Sequence, residues 1–318
     1  MSAPVLAVVD IGSNSIKLLV ATPRPAQGVE LRVLFQETLE TRISGGIGSD
    51  QSRLNETGMA AGITAIRRLL EMARPYAPTD TRIVATSAVR DAANRVEFSA
   101  KVRAATGVAL EILTGDEEAR LIARGIQTDP ALGGAREFCI ADLGGGSLEC
   151  VRYESGKITQ AVSLQLGAVR LTEKFVPDPR GPFAAPMRSA VAAETQRQLS
   201  ASGFQFLSGG LLVGTGGAFT VARAILAHSR GFVKKETWPA EMTRADLAGL
   251  LGQIAPLTLA ERQKIPRLTP ERADIMPAAL TTILVLMDFA HVGRVLHSFN
   301  NLRFGVAARF FAEPDHQG

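Results

Sequence analysis

A short pattern of acid, glycine and serine between apolar segments occurs twice in the chain, as VVDIGSNSIKLLV over residues 8–20 and IADLGGGSLECVR over residues 140–152. The apolar flanks predict strands, and the small polar residues between them predict a tight turn. One copy alone is compatible with an ordinary hairpin, whereas two copies predict duplicated lobes whose loops contact one ligand. At a constant offset, Asp10 aligns with Asp142, Gly12 with Gly144, Ser15 with Ser147 and Lys17 with Glu149.

The segments around each copy predict an α/β fold. Alternation and turn residues predict strands over residues 5–10, 16–21, 30–39, 82–85, 110–113, 157–164, 210–213 and 295–298, with a glycine loop over 45–48. Helical spacing predicts helices over residues 55–74, 96–105, 116–126, 186–199, 218–226 and 276–290. We expect one lobe over residues 1–127 and a second over 128–318, facing each other across a cleft with both loops at its floor.

Composition narrows the class of protein. The chain has 318 residues, 46% of them hydrophobic and 21% charged, which is typical of a globular protein with room for two cores. Aromatic residues make up only 5%, which argues against a surface that stacks nucleic-acid bases. The net charge of +4 permits an anionic ligand, and no block of Lys and Arg indicates a polybasic tail.

The cysteines and the apolar segments predict the cellular compartment of the protein. Cys139 and Cys150 are too few for a disulfide framework or a metal cage, and we expect both to be core residues of a protein from a reducing compartment. The N-terminus lacks the pattern of a secretory leader, and the longest apolar candidate, residues 278–290, is short and contains Asp288. We therefore expect a cytoplasmic protein without a membrane span.

Both loops are suited to an anion. Consecutive backbone N–H groups in a tight turn form a concave nest that favours phosphate, and only small residues allow close approach. The side chains of Ser13, Asn14, Ser15 and Ser147 can add hydrogen bonds. Asp10 and Asp142 carry the same charge as phosphate, so they predict a divalent cation held by one or two carboxylates together with phosphate oxygens. The alternative is that each aspartate only caps its turn.

Three further segments complete a resemblance: TSAVRDAANR over residues 86–95, EILTGDEEARL over residues 111–121 and GTGG over residues 214–217. With the two loops, and in this order, they resemble the exopolyphosphatase and guanosine pentaphosphate phosphatase family. The resemblance implies two RNase H-like lobes of the actin, sugar kinase and heat-shock ATPase superfamily. It also implies removal of a terminal phosphate from inorganic polyphosphate, or from guanosine pentaphosphate (pppGpp), with Mg²⁺ or Mn²⁺.

The resemblance also implies roles for individual residues. Glu118 would be the base that deprotonates the attacking water, Asp142 and Glu149 would place the metal or the water with Asp10 as a further metal ligand, and Arg90 would face the polyanion. The substrate would contact Gly12, Ser13, Asn14, Ser15, Gly144, Gly145, Gly146, Ser147, Gly214, Thr215 and Gly216. Taken without the resemblance, Glu118 can simply favour a helix N-terminus and Arg90 can pair with Asp91 or Glu97.

The chain differs from the family in two respects. It resembles the short members, which lack a C-terminal helical extension, and Phe304 stands where the family usually has an acid after the arginine. The four histidines have no ligand-like spacing, so we expect them to pack or to lie exposed. A homodimer is expected by resemblance alone.

Four hypotheses follow for the function. The first is a Mg²⁺-dependent exopolyphosphatase, and the second is a pppGpp 5′-phosphohydrolase. The third is an ATP-dependent kinase or clamp of the same superfamily, and the fourth is a sensor without catalysis. The acids disfavour the sensor, since a protein that only binds phosphate has no need of a base.

Overall fold

The structure is a computed structural model that describes residues 3–24, 31–44, 53–132 and 134–312. The chain divides into two compact units, one of residues 1–134 with 300–318 and the other of residues 135–299. The glycine loop predicted over residues 45–48 lies outside the described residues. Within the part of the chain that is described, no helix has the length and apolar character needed to cross a membrane.

The first unit is built on a five-stranded sheet of order β3-β2-β1-β4-β5. The strands are β1 (Leu6–Ile11), β2 (Ser15–Pro23), β3 (Leu31–Glu40), β4 (Asp80–Ala85) and β5 (Leu110–Ile112). Strands β1 to β3 are antiparallel, whereas β4 and β5 run parallel to β1. Its helices are α1 (Glu56–Ala73), α2 (Ser87–Arg90), α3 (Arg95–Thr106), α4 (Gly115–Ile126) and, near the other end of the chain, α11 (Leu302–Ala312).

The second unit has a six-stranded sheet of order β10-β11-β9-β6-β7-β8. The strands are β6 (Glu137–Leu143), β7 (Leu148–Glu154), β8 (Lys157–Leu164), β9 (Leu212–Thr215), β10 (Glu241–Thr243) and β11 (Arg294–His297). Again the first three strands are antiparallel and the next two, β9 and β11, run parallel to the first. The helices are α5 (Ala168–Phe175), α6 (Ala185–Ala201), α7 (Gly217–Ser229), α8 (Arg244–Ile254), α9 (Leu259–Arg262) and α10 (Met276–Phe289).

The pairing register shows that the two sheets are copies of one plan. Asp10 lies opposite Lys17 in the first sheet, and Asp142 lies opposite Glu149 in the second. The second and third strands of each sheet carry a bulge at the equivalent place, after Val20 and after Arg152. The predicted duplication is therefore confirmed down to single residues.

Burial explains why the first strand of each sheet is so apolar. All six residues of β1 are buried, since helices cover the sheet that it centres. Helix caps follow the expected chemistry as well: the side chain of Asn55 accepts from the N–H of Gly58 at the start of α1. Gly107 ends α3 with φ +74°, in the left-handed region that glycine enters without strain.

Helix α11 belongs to the first unit, whereas the predicted boundaries put it in the second lobe. It crosses α4 where Gly125 faces Asn301 and where Gly305 faces the backbone of Leu121, so closely that a Cβ on either glycine would overlap main-chain atoms. The guanidinium of Arg303 donates to the carbonyl of Leu18 at 2.7 Å, which ties α11 to β2. A helix that returns from the far end of the chain leaves no local signal, so the sequence could not assign it.

We expect Gly305→Ala to lower the free energy of unfolding by about 1–3 kcal/mol, because the new methyl group meets backbone atoms that cannot yield. Urea denaturation measures this change. Gly252→Ala on α8 is the matched control: nothing lies near its Cβ position, so it should raise stability by about 0.5–1 kcal/mol. Equal stability of the two variants would contradict the close crossing of α4 and α11.

Candidate active site

The loop between β1 and β2, residues 12–15, is held by the rest of its own unit. Within it, the N–H of Gly12 donates to the carbonyl of Ser15 at 3.1 Å. The carbonyl of Asn14 accepts from the N–H groups of Thr41 and Arg42, and the carbonyl of Ser13 accepts from the N–H of Ser44. In a planar trans peptide, C=O and N–H point in opposite directions, so the N–H groups of Asn14 and Ser15 point away from the segment 41–44.

The Asn14 side chain braces this loop. Its Nδ2 donates to Glu40 Oε2 at 2.6 Å, and its Oδ1 accepts from Arg42 Nε at 3.1 Å. Both ends of the amide are thus engaged by β3 and the residues that follow it. Asn14 remains a predicted substrate contact, and the structure adds the role of orienting the loop.

The loop between β6 and β7, residues 144–147, repeats the arrangement. The N–H of Gly144 donates to the carbonyl of Ser147 at 3.0 Å. Behind the loop, the carbonyls of Gly144, Gly145 and Gly146 accept hydrogen bonds from the N–H groups of Ala168, Val169 and Arg170 and from Arg170 Nε. The N–H groups of Gly145, Gly146 and Ser147 therefore point to the opposite side, as in a nest that binds an anion.

Asp10 lies near two cations of its own unit. It is buried at the end of β1, and burial raises the pKa of its carboxyl group, while the nearby cations Lys17 and Arg303 act to lower it. Because Lys17 is the cross-strand partner of Asp10, acid and base share one face of the sheet. The role of Asp10 as a metal ligand stays a prediction.

Asp142 and Glu149 form a different pair at the equivalent position. They lie directly opposite each other in the register, with 8% and 2% of their surfaces exposed, and Ser163 Oγ donates to Glu149 Oε1 at 2.8 Å. Two acids on one face repel, so the pair suits a divalent cation. Among the described residues, no group of three or more His, Cys, Asp or Glu side chains could hold a metal. These two carboxylates fit Mg²⁺ or Mn²⁺ if water completes the coordination, with phosphate oxygens replacing part of that water when a phosphate is bound.

The glycine turn at residues 214–217 borders this acid pair. Thr215 is paired with Asp142 in the sheet, and Gly216 has φ +95° at the start of α7. A Cβ on Gly216 would lie 2.5 Å from Asp142 Oδ1, so only glycine fits beside the carboxylate. Next to it, a Cβ on Gly217 would overlap the guanidinium of the buried Arg272.

Arg272 is a residue that the sequence analysis missed. It lies in a short 3₁₀ segment far along the chain from every glycine loop, and an arginine flanked by Glu271 and Asp274 has the pattern of a solvated surface. Only the fold brings it to the N-terminus of α7. A buried arginine at a helix N-terminus increases the positive charge there, which favours an anion.

Glu118 and Arg90 come from two different motifs of the first unit and meet in the structure. Arg90 Nη1 donates to Glu118 Oε2 at 2.7 Å and to the carbonyl of Leu113 at 3.1 Å. Arg90 Nε lies 3.6 Å from Asp91 Oδ1, so the pairing with Asp91 is also present. The other partner considered for Arg90, Glu97, is instead bound to Lys101.

The adjacent acids Glu117 and Glu118 have different surroundings. Glu117 closes the capping box of α4, accepting from the N–H and hydroxyl groups of Thr114, and these hydrogen bonds lower the pKa of its carboxyl group. Glu118 is 5% exposed and faces Arg90. Of the two, Glu118 alone is a buried acid held by an arginine, and its role as the base stays a prediction.

The fold and the loops define the class. Two units with mixed sheets of one plan, each with a small-residue loop after its first strand, form the duplicated α/β fold that was predicted. The chain matches the Ppx/GppA phosphatase family over residues 20–311, and it belongs to that family. The family assignment made from the motifs is thereby confirmed.

Solved structures agree with this fold. An exopolyphosphatase from Cytophaga hutchinsonii superimposes with a TM-score of 0.87 at 21% identity, covering 97% of this chain and 98% of that chain. A Ppx/GppA family member from Aquifex aeolicus gives a TM-score of 0.79 at 23% identity, covering 98% of each chain. At such identities the likeness is one of fold.

We expect Glu149→Gln to raise the free energy of unfolding by up to about 1 kcal/mol in the presence of a chelator, because it removes the repulsion between two buried acids. Mg²⁺ should then stabilise the wild type and have little effect on the variant, since a ligand that binds the folded state raises its stability. Urea denaturation with and without Mg²⁺ measures both effects.

Lys17→Gln is the matched control at the equivalent position of the first sheet. It should lower stability, since Asp10 loses its cross-strand cation. If Mg²⁺ does not change the free energy of unfolding of the wild type, Asp142 and Glu149 do not hold the metal.

Proposed function

We propose that the chain is an exopolyphosphatase that hydrolyses the terminal phosphate of inorganic polyphosphate. One observation carries the proposal: in both units, the carbonyl groups of the loop are bound from behind, so that consecutive N–H groups point to the other side. Such fixed donors suit phosphate, which needs neutralisation and positioning more than covalent chemistry. The membership of a phosphatase family supports hydrolysis.

In this proposal the residues of the two loops and of the 214–217 turn bind phosphate oxygens. Within the second unit the donors are the fixed N–H groups of Gly145, Gly146 and Ser147, and within the first unit the N–H groups of Asn14 and Ser15 have the corresponding direction. Arg272 adds positive charge next to Gly217. Because such donors recognise phosphate alone, a polymer of phosphates satisfies them without a nucleoside pocket.

The metal is assigned to Asp142 and Glu149. When bound, Mg²⁺ or Mn²⁺ would neutralise charge on the phosphate that is transferred and on the leaving phosphate. Asp10 was also predicted as a metal ligand, but it lies opposite Lys17, whereas Asp142 lies opposite a second acid. We therefore place the cation at the acid pair of the second sheet.

Glu118 is assigned as the general base. Its carboxylate would accept the proton of the attacking water, and Arg90 would hold it in the required orientation. Since the carbonyl of Leu113 also binds Arg90, the guanidinium is fixed relative to α4. Phosphate entering beside this pair would offer Arg90 a second anionic partner.

The alternative is a pppGpp 5′-phosphohydrolase, which the family name covers as well. The terminal phosphate of a 5′-triphosphate would occupy the same donors and need the same base. A kinase of the same superfamily is less well supported, because the family that the chain matches is a phosphatase family. The homodimer and the cytoplasmic location stay predictions.

We expect Glu118→Gln to lower kcat on polyphosphate by about 10²–10⁴-fold, because the amide cannot accept the proton of water. Binding of polyphosphate should change little, since the loops are intact. Phosphate release under saturating substrate, together with calorimetric titration of polyphosphate, separates the two effects.

Glu117→Gln is the control for the neighbouring acid. It weakens the helix cap and should cost about 1 kcal/mol of stability or less, with kcat close to that of the wild type. A Glu118→Gln variant as active as Glu117→Gln would show that Glu118 is not the base.

A substrate panel distinguishes the activities. With Mg²⁺ we expect release of single phosphates from polyphosphate chains, because the loops recognise phosphate alone. Faster release from pppGpp would favour the alternative, and ADP formed only with an acceptor would indicate a kinase. Phosphate release and nucleotide products are followed in parallel, with EDTA expected to stop the reaction.

A further inference from the structure

We propose that His297 is a positioning residue for the acid site of the second unit, acting through Thr220 on Gly216, the glycine packed against Asp142. The expected effect of His297 on the rate of hydrolysis rests on the proposed function. It assigns a role to a histidine whose spacing from the other histidines in the sequence is not that of metal ligands. The contacts that carry it all lie within residues 135–299.

The hydrogen bonds of His297 fix its tautomer. The ring lies at the end of β11 with 2% of the residue exposed. Arg223 Nη1 lies 3.1 Å from Nδ1, and a guanidinium can only donate, so Nδ1 accepts and the ring proton is on Nε2. Nε2 then donates to Thr220 Oγ1 at 3.2 Å.

Thr220 passes this orientation to the glycine turn. Since its oxygen accepts from His297, its own proton is directed to the carbonyl of Gly216 at 2.9 Å. The N–H of Thr220 donates to the same carbonyl at 3.1 Å. Gly216 is thus held by two hydrogen bonds, of which one depends on the histidine, and polarised chains of this kind strengthen each member.

The position of Gly216 sets the space around Asp142. Its Cβ position lies 2.5 Å from Asp142 Oδ1 and 2.5 Å from the carbonyl oxygen of Leu143. With φ +95°, the residue occupies a conformation that nothing but glycine adopts readily, and it stays there because its surroundings hold it. If the backbone of Gly216 shifted, it would collide with the carboxylate of Asp142.

The acceptor side of His297 is also fixed. Arg223 Nη2 donates to the carbonyl of Trp238 at 2.5 Å, and its guanidinium stacks on the ring of Phe299 at 4.7 Å. Burial, Arg223 and Lys235 together hold the pKa of His297 well below its usual range. The ring therefore stays neutral, and Nδ1 remains an acceptor for the arginine.

Two substitutions of His297 distinguish the hydrogen bonds made by the two nitrogens of its ring. The amide of glutamine reaches the place of Nε2, so His297→Gln keeps a donor for Thr220. The amide of asparagine reaches only the place of Nδ1, so His297→Asn keeps the contact with Arg223 and loses Thr220. At position 220, serine keeps the hydroxyl group, whereas valine replaces it by a methyl group of similar size.

The measurements are the dissociation constant for Mn²⁺ alone, the Mg²⁺ concentration that gives half-maximal hydrolysis of polyphosphate, and the urea midpoint. We expect both metal constants to rise about three- to tenfold in His297→Asn and Thr220→Val, the effect of one lost hydrogen bond. His297→Gln and Thr220→Ser should stay within about twofold of the wild type. The double variant His297→Asn/Thr220→Val should be no worse than either single variant, because both break one chain of contacts.

Equal metal constants for His297→Gln and His297→Asn, or a Thr220→Val variant like the wild type, would overturn the inference. Loss of metal binding in proportion to the urea midpoint would do the same, since it would indicate general destabilisation. A wild type that binds Mn²⁺ without releasing phosphate would refute the proposed function, while the Mn²⁺ series would still decide the role of His297. A wild type that fails to bind Mn²⁺ would overturn both.

Discussion

The arrangement of this protein depends on how the backbone carbonyl groups behind two short loops are satisfied. In the first unit they accept from the segment after β3, and in the second from the start of α5 and from Arg170. Because peptide groups are planar, binding the carbonyls on one side directs the N–H groups to the other. The direction of the N–H groups in both loops is therefore set by the part of the fold that lies behind them.

The two sheets share a plan but differ at one decisive position. Asp10 lies opposite a lysine, whereas Asp142 lies opposite a glutamate, so the equivalent cross-strand pair is acid with base in the first copy and acid with acid in the second. The two frameworks are alike, and the different cross-strand partner makes the second one the candidate cation site. The remaining backbone pattern, including the bulge that follows, is retained in both.

Much of this could be predicted from the sequence, because the decisive signals are local. The repeated loop, the flanking strands and the helix caps at Asn55 and Gly107 all follow from residues close together in the chain. The family, and with it the candidate base Glu118, followed from motifs in order. The contact between Arg90 and Glu118, the place of Arg272 beside Gly217 and the hydrogen bonds of His297 could not be predicted. Each depends on how segments remote from each other in the chain pack together, and no spacing in the sequence encodes it.

The crossing of α4 and α11 has a consequence for the order in which the polypeptide can mature on the ribosome. The first unit is made of two stretches, 1–134 and 300–318, whereas the second is one uninterrupted stretch. During synthesis the second unit has all its elements before the first does, although it is made later. Until residues 302–312 emerge, the buried face of α4 lacks its cover, so a nascent or truncated chain would present that apolar surface to chaperones and proteases.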